Sequence, residues 1–378
     1  MVGHWMTYVI LGSGKTSQAC KVFLTEKNIS CTIVKDLDKH IVQKDAKYIA
    51  SPGIPYHHPL IKAIQEQDIP LYSDMDLFLE VCNKPLICVT GTNGKTTTVN
   101  LIASGLMACG LKVGVGGNIG IPVLSLLKHN YDVYVIELSS FQLYYTQNLS
   151  CDVGVLTNLT LDHQDWHLTF EHYLTAKLKL LKNSEVTVMG SELSQYFQVD
   201  YVVNSKLPIG KQNLLFAESA IKGLGYKINK AIREVMQLVT IPHRQELFEK
   251  KGIVWVNDSK ATNISATLAL IDDFESRTGK VYLILGGKLK GQCDFLPLKK
   301  CVASNHFIIV GYGSALPELE KHFDIAFGNQ SFNDVLCWIG ENVQKGDSVL
   351  LSPACSSLDQ FENFEARGQA FKQYVASI

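Results

Sequence analysis

The sequence predicts an α/β fold in three domains: a Rossmann-like domain (1–73), a central P-loop-type α/β domain (74–240) and a Rossmann-like domain (241–378). Three observations predict it. Short apolar runs alternate with helical segments along the whole chain. Most of these runs end in glycine or polar residues, as strands of a doubly wound parallel sheet do. The length of 378 residues exceeds one average domain.

The composition is typical of a globular protein and bears on which classes of partner it binds. Hydrophobic residues make up 46% and charged residues 19%, and the formal net charge is −1. Such a balance gives no reason to expect nucleic acid or an anionic membrane as partner. The ten cysteines lack zinc-like spacing, and no long apolar run opens the chain, so reduced thiols and a cytoplasmic location are expected. Since no long exposed apolar helix demands a partner, the expected state is a monomer.

The first segment has the βαβ order of a nucleotide-binding unit. Its strand Thr7–Leu11 ends in Gly12-Ser13-Gly14-Lys15-Thr16-Ser17, and a helical segment then runs to about Glu26. A second strand, Cys31–Val34, leads to Asp36. Another strand precedes Ser51-Pro52-Gly53, at the end of a sheet where α/β folds place ligands.

The central domain begins with a phosphate-loop pattern in Leu86–Val99, LICVTGTNGKTTTV. A glycine-rich turn between a strand and a helix can close its backbone N–H groups around phosphates. Lys95 would neutralise the β and γ phosphates, and Thr96 could ligate Mg²⁺. A tight strand–helix turn without a ligand is the alternative.

Two later strand ends add groups that suit phosphoryl transfer. The strand Val133–Ile136 leads into Glu137, where a Mg²⁺ ligand should stand. The next strand, Val153–Leu156, runs into a polar segment that ends in His163. The phosphate loop, Glu137 and His163 follow one another in this order, which indicates a phosphoryl-transfer site.

The helix from Thr169 to about Leu181 carries a lysine on its apolar face. That face comprises Phe170, Tyr173, Leu174, Leu178 and Leu181, and Lys177 lies on it. In one interpretation Lys177 lays its methylenes on the core and extends its amine to water. In the other, the amine is partly desolvated, its pKa falls, and it can add CO₂ to become an anionic metal ligand.

The third domain repeats the α/β pattern after a hinge-like segment, Thr240–Arg244. Polar residues again follow the predicted strands, which are Ile253–Val256, Val281–Leu285, Phe307–Val310 and Ser348–Leu351.

Five motifs in one order resemble the Mur ligase superfamily. They are GTNGKTT (91–97), GGNIG (116–120), ELSSFQL (137–143), NDSKATN (257–263) and SPACSSLDQFENFEARG (352–368). The resemblance spans nearly the whole chain. ELSSFQL and SLDQF favour the members that add D-glutamate to UDP-N-acetylmuramoyl-L-alanine.

The resemblance implies an ADP-forming ligase of peptidoglycan precursor synthesis, a pathway of cell wall biogenesis that serves cell shape and cell division. It implies ATP and two Mg²⁺ ions, one of them held through carbamylated Lys177. ATP would phosphorylate the muramoyl-alanine carboxylate, and the amine of D-glutamate would attack the acyl phosphate.

The resemblance also assigns residues. The catalytic residues would be Lys95, Glu137, His163 and Lys177, and the metal ligands Thr96, Glu137, His163 and Lys177. The ATP-binding set would comprise Gly91, Thr92, Asn93, Gly94, Lys95, Thr96, Thr97, Asn213, Arg244 and Asp258. The UDP-sugar set would comprise Ser13, Lys15, Thr16, Asp36, Ser51, Pro52, Gly53, Asn118, Ser139 and Gln142. The D-glutamate pocket would comprise Lys260, Thr262, Lys290, Ser357, Leu358 and Phe364.

The chain departs from the family pattern at several positions that bear on nucleotide recognition. Ser17 stands where the first loop usually has a third glycine, and Leu37 and Asp38 follow Asp36. Near the adenine side, the family's H-N-x-x-N pattern is replaced by a sequence from Gln212 to Phe216. Two alternatives therefore stay open: a ligase of the same superfamily with another acceptor or amino acid, or a nucleotide-binding homologue without catalysis.

Overall fold

The computed structural model describes residues 7–160, 162–274, 277–289, 291, 293–303 and 306–378. The chain forms two compact units, Met1–Val239 and Thr240–Ile378. The first unit contains two sheets and the second contains one. The α/β class is confirmed, and the division into three domains stays a prediction.

The first sheet is parallel, with strand order β2-β1-β3-β4. Its strands are β1 (Thr7–Leu11), β2 (Cys31–Val34), β3 (Ala46–Ala50) and β4 (Leu71–Tyr72). Its helices are α1 (Lys15–Glu26), α2 (Pro59–Glu66) and α3 (Asp74–Leu79). The order places the carboxyl ends of β1, β2 and β3 side by side, at the edge where the sequence predicts ligands.

The second sheet is also parallel, with strand order β10-β9-β8-β5-β7-β6. Its strands are β5 (Leu86–Thr90), β6 (Val113–Gly117), β7 (Val133–Glu137), β8 (Cys151–Leu156), β9 (Ser184–Gly190) and β10 (Tyr201–Val203). The helices around it are α4 (Lys95–Ala108), α5 (Val123–Leu126), α6 (Ser140–Tyr145), α7 (Gln164–His167), α8 (Phe170–Lys182), α9 (Ile209–Gly223) and α10 (Lys230–Gln237). Because β5 lies between β7 and β8, the phosphate loop is flanked by the ends of both neighbours.

The loop after β3 ties the first sheet to the helices of the second. The carbonyl oxygen of Ile54 accepts hydrogen bonds from Tyr145 Oη over 2.7 Å and from Trp166 Nε1 over 3.2 Å. The Tyr56 ring packs against His172 with 4.3 Å between ring centroids. These contacts explain why both sheets form one compact unit.

The third sheet has strand order β11-β12-β16-β13-β14-β15. Its strands are β11 (Glu246–Lys250), β12 (Ile253–Asn257), β13 (Val281–Gly286), β14 (Phe307–Tyr312), β15 (Ile325–Asn329) and β16 (Ser348–Ala354). Its helices are α11 (Ile264–Ile271), α12 (Leu296–Cys301), α13 (Leu316–His322), α14 (Phe332–Asn342) and α15 (Phe364–Ser377). All pairs are parallel except β11 with β12. Apolar clusters cover both faces, as in a doubly wound sheet.

Within the described residues, no helix is both long enough and apolar enough to cross a bilayer. One detail of the sequence interpretation is wrong: Phe170 does not lie on the buried face of α8, because its side chain is 36% exposed. The face that α8 buries is formed by Tyr173, Ala176, Lys177, Leu178, Leu180 and Leu181.

Candidate active site

The phosphate loop follows β5 and depends on two glycines with left-handed backbone conformations. Gly91 has φ of 145° and Gly94 has φ of 81°. A Cβ at Gly91 would lie 1.9 Å from Thr157 Oγ1, and one at Gly94 would lie 2.6 Å from Asn213 Oδ1. Backbone conformation and space therefore both require glycine here.

Side chains that follow β8 hold this loop in place. Thr157 Oγ1 donates to the carbonyl oxygen of Asn93 over 2.6 Å, and Asn93 N donates to Asn158 Oδ1 over 2.9 Å. Thr92 Oγ1 accepts from Thr160 N over 3.0 Å. The sequence analysis missed these supports. Their signal was the run of polar residues at the end of the strand next to β5.

The loop opens the 14-residue helix α4 with a cationic side chain at its first position. Lys95 Nζ donates to the carbonyl oxygens of Gly91 and Thr92, each over 2.8 Å. No side chain caps the amino end of α4 at Gly94. The N–H groups and positive dipole end of the helix thus lie beside a lysine, an arrangement suited to phosphate.

Glu137 stands at the end of β7, beside the same helix. Its side chain is buried, and Oε2 accepts from Thr96 Oγ1 over 2.8 Å. Its other oxygen accepts from Asn118 Nδ2 over 2.8 Å. The structure therefore brings together three predicted site residues from α4, β7 and the turn after β6. Carboxylate and hydroxyl oxygens are the ligands that Mg²⁺ prefers.

Lys177 lies within this cluster rather than at the surface. Its side chain is 2% exposed, and Nζ donates to the carbonyl oxygen of Gly91 over 2.8 Å. Burial lowers the pKa of the amine well below its ordinary range, and the charge of Lys95 lowers it further. Asp162 and Glu137 oppose this shift of the pKa. The interpretation in which Lys177 reaches water is wrong.

His163 lies in the segment after β8 and adopts a left-handed backbone with φ of 55°. Its backbone N donates to Asp162 Oδ1 over 2.8 Å, and its ring centroid lies 4.8 Å from that of Phe141. Throughout the described ranges, no three His, Cys, Asp or Glu side chains gather closely enough to hold a metal ion by themselves.

The carboxyl edge of the first sheet carries the residues predicted for the UDP-sugar. Ser13 and Lys15 are exposed beside the start of α1, and Asp36 forms an exposed ion pair with Lys39. Ser51 follows β3, and its backbone N donates to the carbonyl oxygen of Leu11. The remaining members here are the partly exposed Thr16 and Pro52 and the exposed Gly53.

Ser139 and Gln142 form a reciprocal cap at the start of α6. Gln142 N donates to Ser139 Oγ over 3.2 Å, and Ser139 N donates to Gln142 Oε1 over 3.0 Å. These contacts hold the helix that follows Glu137. Thr97, also predicted to bind ATP, lies in the first turn of α4.

The second unit brings together part of the predicted amino-acid pocket. Lys260 Nζ lies 3.8 Å from the centroid of the Phe364 ring, a cation–π contact. Thr262 N donates to the carbonyl oxygen of Lys260 over 2.8 Å. Ser357 is buried, whereas the Leu358 side chain is 63% exposed. Lys290 lies outside the described residues.

Asp258 and Arg244, which the resemblance assigns to the nucleotide, also belong to the second unit. Burial raises the pKa of Asp258 to about 7, whereas a hydrogen bond from Ser352 and the charge of Arg244 act in the opposite direction. Ser352 Oγ donates to Asp258 Oδ2 over 2.9 Å. Asn213, by contrast, lies in the first unit on α9, with its amide oxygen against Gly94.

Arg367 is a buried arginine that the sequence analysis did not select. It is fully buried on α15, and its guanidinium donates to Ser259 Oγ, Tyr312 Oη and the carbonyl oxygen of Cys355. It thereby joins the turns after β12 and β16 to the end of β14. A sequence pattern could have indicated its burial: Arg367 lies four residues before the apolar Phe371, so both share one face of the helix.

Comparisons with known proteins identify the family of this chain. A model of the Mur ligase middle domain matches residues 89–199. The UDP-N-acetylmuramoylalanine–D-glutamate ligase of Vibrio parahaemolyticus is 36% identical over 359 residues, covering 85% of this chain and 82% of the relative. The ligase of the same name from Baumannia cicadellinicola is 34% identical over 438 aligned positions, covering 99% and 97%.

Solved structures share the fold at lower sequence identity. The MurF ligase of Thermotoga maritima in complex with ADP has a TM-score of 0.67 and 16% identity, covering 98% of this chain and 95% of that one. A pseudomurein peptide ligase type C from Methanothermus fervidus has a TM-score of 0.65 and 15% identity, covering 98% and 99%. Because the curated relatives align over most of its length above 30% identity, the chain belongs to the UDP-N-acetylmuramoylalanine–D-glutamate ligase family of Mur ligases.

Proposed function

We propose that the chain is an ADP-forming ligase that joins D-glutamate to UDP-N-acetylmuramoyl-L-alanine in peptidoglycan precursor synthesis. The observation that carries the proposal is the cluster around the phosphate loop. Lys95 is the first residue of α4, and the Thr96 hydroxyl donates a hydrogen bond to the buried carboxylate of Glu137. The buried amine of Lys177 donates a hydrogen bond to the carbonyl oxygen of Gly91 in the loop. Family membership supports the choice of substrates.

In the proposed reaction, a phosphoryl group passes from ATP to a carboxylate oxygen of the UDP-sugar substrate, and ADP leaves. The amine nitrogen of D-glutamate then attacks the acyl carbon, the C–N bond forms, phosphate leaves and the amine loses a proton to solvent. The amides of the Gly91–Gly94 loop and Lys95 would hold the transferred phosphate and stabilise its charge.

The residues around Thr96 fit Mg²⁺. Glu137 supplies a buried carboxylate and Thr96 a hydroxyl, and both are hard oxygen donors that already contact each other over 2.8 Å. When bound, Mg²⁺ neutralises phosphate charge. Asn118 orients the carboxylate by donating to its other oxygen.

Lys177 fits a second metal position only after a chemical change. As an ammonium it would repel a cation, and its Nζ now donates to Gly91. A neutral amine can attack CO₂, so that an N–C bond forms and one amine proton passes to solvent. The carbamate adds two oxygens and a negative charge, and with His163 it would complete the second Mg²⁺ site. Burial, which favours the neutral amine, supports this step.

Two other sets of residues would bind the remaining substrates. The edge that carries Ser13, Lys15 and Ser51 would hold the UDP-sugar. In the second unit, Lys260 would pair with a carboxylate of D-glutamate, and Ser357 would donate to it. Arg244 and Asp258 would contact the nucleotide.

We further propose that the protein acts in the cytoplasm as a monomer and supports cell shape and division. The free thiols of Cys20, Cys88 and Cys151 support a reducing compartment.

Phosphate release tests the proposed function. The protein is incubated with Mg-ATP, UDP-N-acetylmuramoyl-L-alanine and one amino acid from a panel that includes D-glutamate. Release with D-glutamate alone is expected, with the product mass equal to the sum of both substrates minus water. Lys95→Ala serves as the inactive control. Release with another amino acid selects a different ligase of the superfamily, and no release with any acceptor selects a binding protein.

A further inference from the structure

Ser17 occupies the first turn of α1 and contacts the turn after β3. Its side chain is 1% exposed, and its Oγ lies 2.7 Å from Ser51 Oγ. Ser51 itself is only partly buried, at the carboxyl edge of the first sheet. The pair therefore joins a buried hydroxyl to one that faces the edge where Ser13 and Lys15 are exposed.

The burial of Ser17 decides which hydroxyl donates. Each hydroxyl has one proton, so only one of the two can donate within the pair. In the part of the chain that the structure describes, Ser51 is the only hydrogen-bond partner of Ser17 Oγ. If Ser51 donated, the Ser17 proton would be buried without an acceptor, which is costly. Ser17 therefore donates, and the proton of Ser51 remains available to an oxygen outside the pair.

The neighbouring backbone fixes Ser51 as well. A Cβ at Gly12 would lie 2.8 Å from Ser51 Oγ, so the hydroxyl fills the space beside Gly12. The backbone N of Ser51 donates to Leu11 at the end of β1, and its carbonyl oxygen accepts from Ile54 N. With the backbone held at both ends, the contact with Ser17 sets the direction of the side chain.

We propose that Ser17 is a positioning residue that turns the hydroxyl proton of Ser51 outward, toward an oxygen of the diphosphate or sugar of the nucleotide-sugar substrate. The proposal rests on the proposed function, because it assumes that this edge binds the UDP-sugar. Ser17 does not touch the substrate. It acts through Ser51, and the exposed cation of Lys15 on the same edge suits an anionic ligand.

Steady-state kinetics of Ser17→Ala, Ser51→Ala and the double variant test the proposal. Ser17→Ala should raise KM for UDP-N-acetylmuramoyl-L-alanine about five- to tenfold, the loss expected for one hydrogen bond. The kcat and the KM for ATP should stay unchanged. The double variant should match Ser51→Ala alone. Titration calorimetry with the same UDP-sugar, without ATP, should show the same ranking of affinities.

A control variant distinguishes the expected rise in KM from a general loss of stability. Ser73→Ala removes another buried hydroxyl contact in the same unit, Ser73 Oγ to Thr146 Oγ1 over 2.9 Å. It should lower Tm and leave all KM values unchanged. If Ser17→Ala does not accumulate, Ser17→Gly removes the same hydroxyl and gives the same readout.

Three outcomes would overturn the proposal: an unchanged KM for the UDP-sugar in Ser17→Ala, an equal rise of KM for ATP, or additive effects in the double variant. A different result would contradict the proposed function itself. In that case the wild-type protein releases no phosphate when the UDP-sugar and D-glutamate are added, and binds no UDP-sugar.

Discussion

The Lys177 amine donates a hydrogen bond to the carbonyl oxygen of Gly91, the first glycine of the phosphate loop, over 2.8 Å. A buried amine on α8 is thus in direct contact with the loop at the end of β5. Any change in the charge of Lys177 will alter its electrostatic interaction with that loop and with the carboxylate of Glu137, because charges interact strongly in a buried environment.

We expect Lys177→Ala to reduce turnover at least a hundredfold while ATP binding through Lys95 stays within a fewfold of wild type. The reason is the loss of the carbamate charge that would hold a metal ion. Phosphate release and ATP titration measure the two effects. Acetate should partly restore the variant, and removing CO₂ and bicarbonate should slow the wild type reversibly.

Lys182→Ala is the matched control, because Lys182 is exposed on the same helix. It should behave as wild type in every assay. Near-normal turnover of Lys177→Ala would rule out the carbamate.

Gly91→Ala should abolish ATP binding. Its Cβ would lie 1.9 Å from Thr157 Oγ1, so the loop must move away from β8. Gly110→Ala has comparable backbone strain, with φ of 90° at Gly110, but its Cβ would meet no atom within 4 Å. The control should therefore lose about 1 kcal/mol of stability and keep its affinity for ATP. Calorimetric titration with Mg-ATP distinguishes them, and equal affinities would contradict the prediction.

Arg367→Met should destabilise the second unit by roughly 3 kcal/mol or more. The substitution removes the donors to Ser259 Oγ, Tyr312 Oη and the carbonyl oxygen of Cys355, all of them buried. Hydrogen exchange should speed up in peptides of residues 240–378 and stay unchanged in peptides of the first unit. The exposed Arg277 offers the matched control, Arg277→Met. Unaltered exchange around β14 and β16 would refute the assignment.

Asp74 should make stability depend on pH. Burial raises its pKa from 3.8 to about 6, and its Oδ1 has no hydrogen-bond partner. A raised carboxyl pKa means that the folded protein binds the proton more tightly, so its stabilising contribution is complete below pH 3.8 and is lost as pH rises through about 6.

Asp74→Asn should therefore raise the free energy of unfolding at pH 8 by about 3 kcal/mol, and the gain should nearly vanish below pH 4. Urea unfolding at several pH values measures it. The exposed Asp45 provides the control Asp45→Asn, which should show no such trend. A gain independent of pH would argue against titration of Asp74.

The strand ends explain how much the sequence could predict. Glycine or polar residues after apolar runs located the phosphate loop and Glu137, because parallel sheets align such ends. Lys177 was located differently, by its position on the apolar face of a helix. The antiparallel β11 (Glu246–Lys250) was not predicted, because its apolar residues Leu247 and Phe248 are adjacent and do not alternate with polar ones. Arg367 escaped for another reason. Its acceptors come from turns 12 to 108 residues away in sequence, and local patterns carry no information on them.

The bonds to Ile54 have a consequence for folding during synthesis. Their donors, Tyr145 and Trp166, follow it by 91 and 112 residues. At the usual rate of translation, the second donor is made roughly 6 to 22 s after Ile54 itself. The strands of the first sheet are thus made well before the two side chains that anchor the loop after β3. During that interval the loop that carries Ser51 lacks its anchor, and a chaperone that binds this loop would have several seconds in which to act.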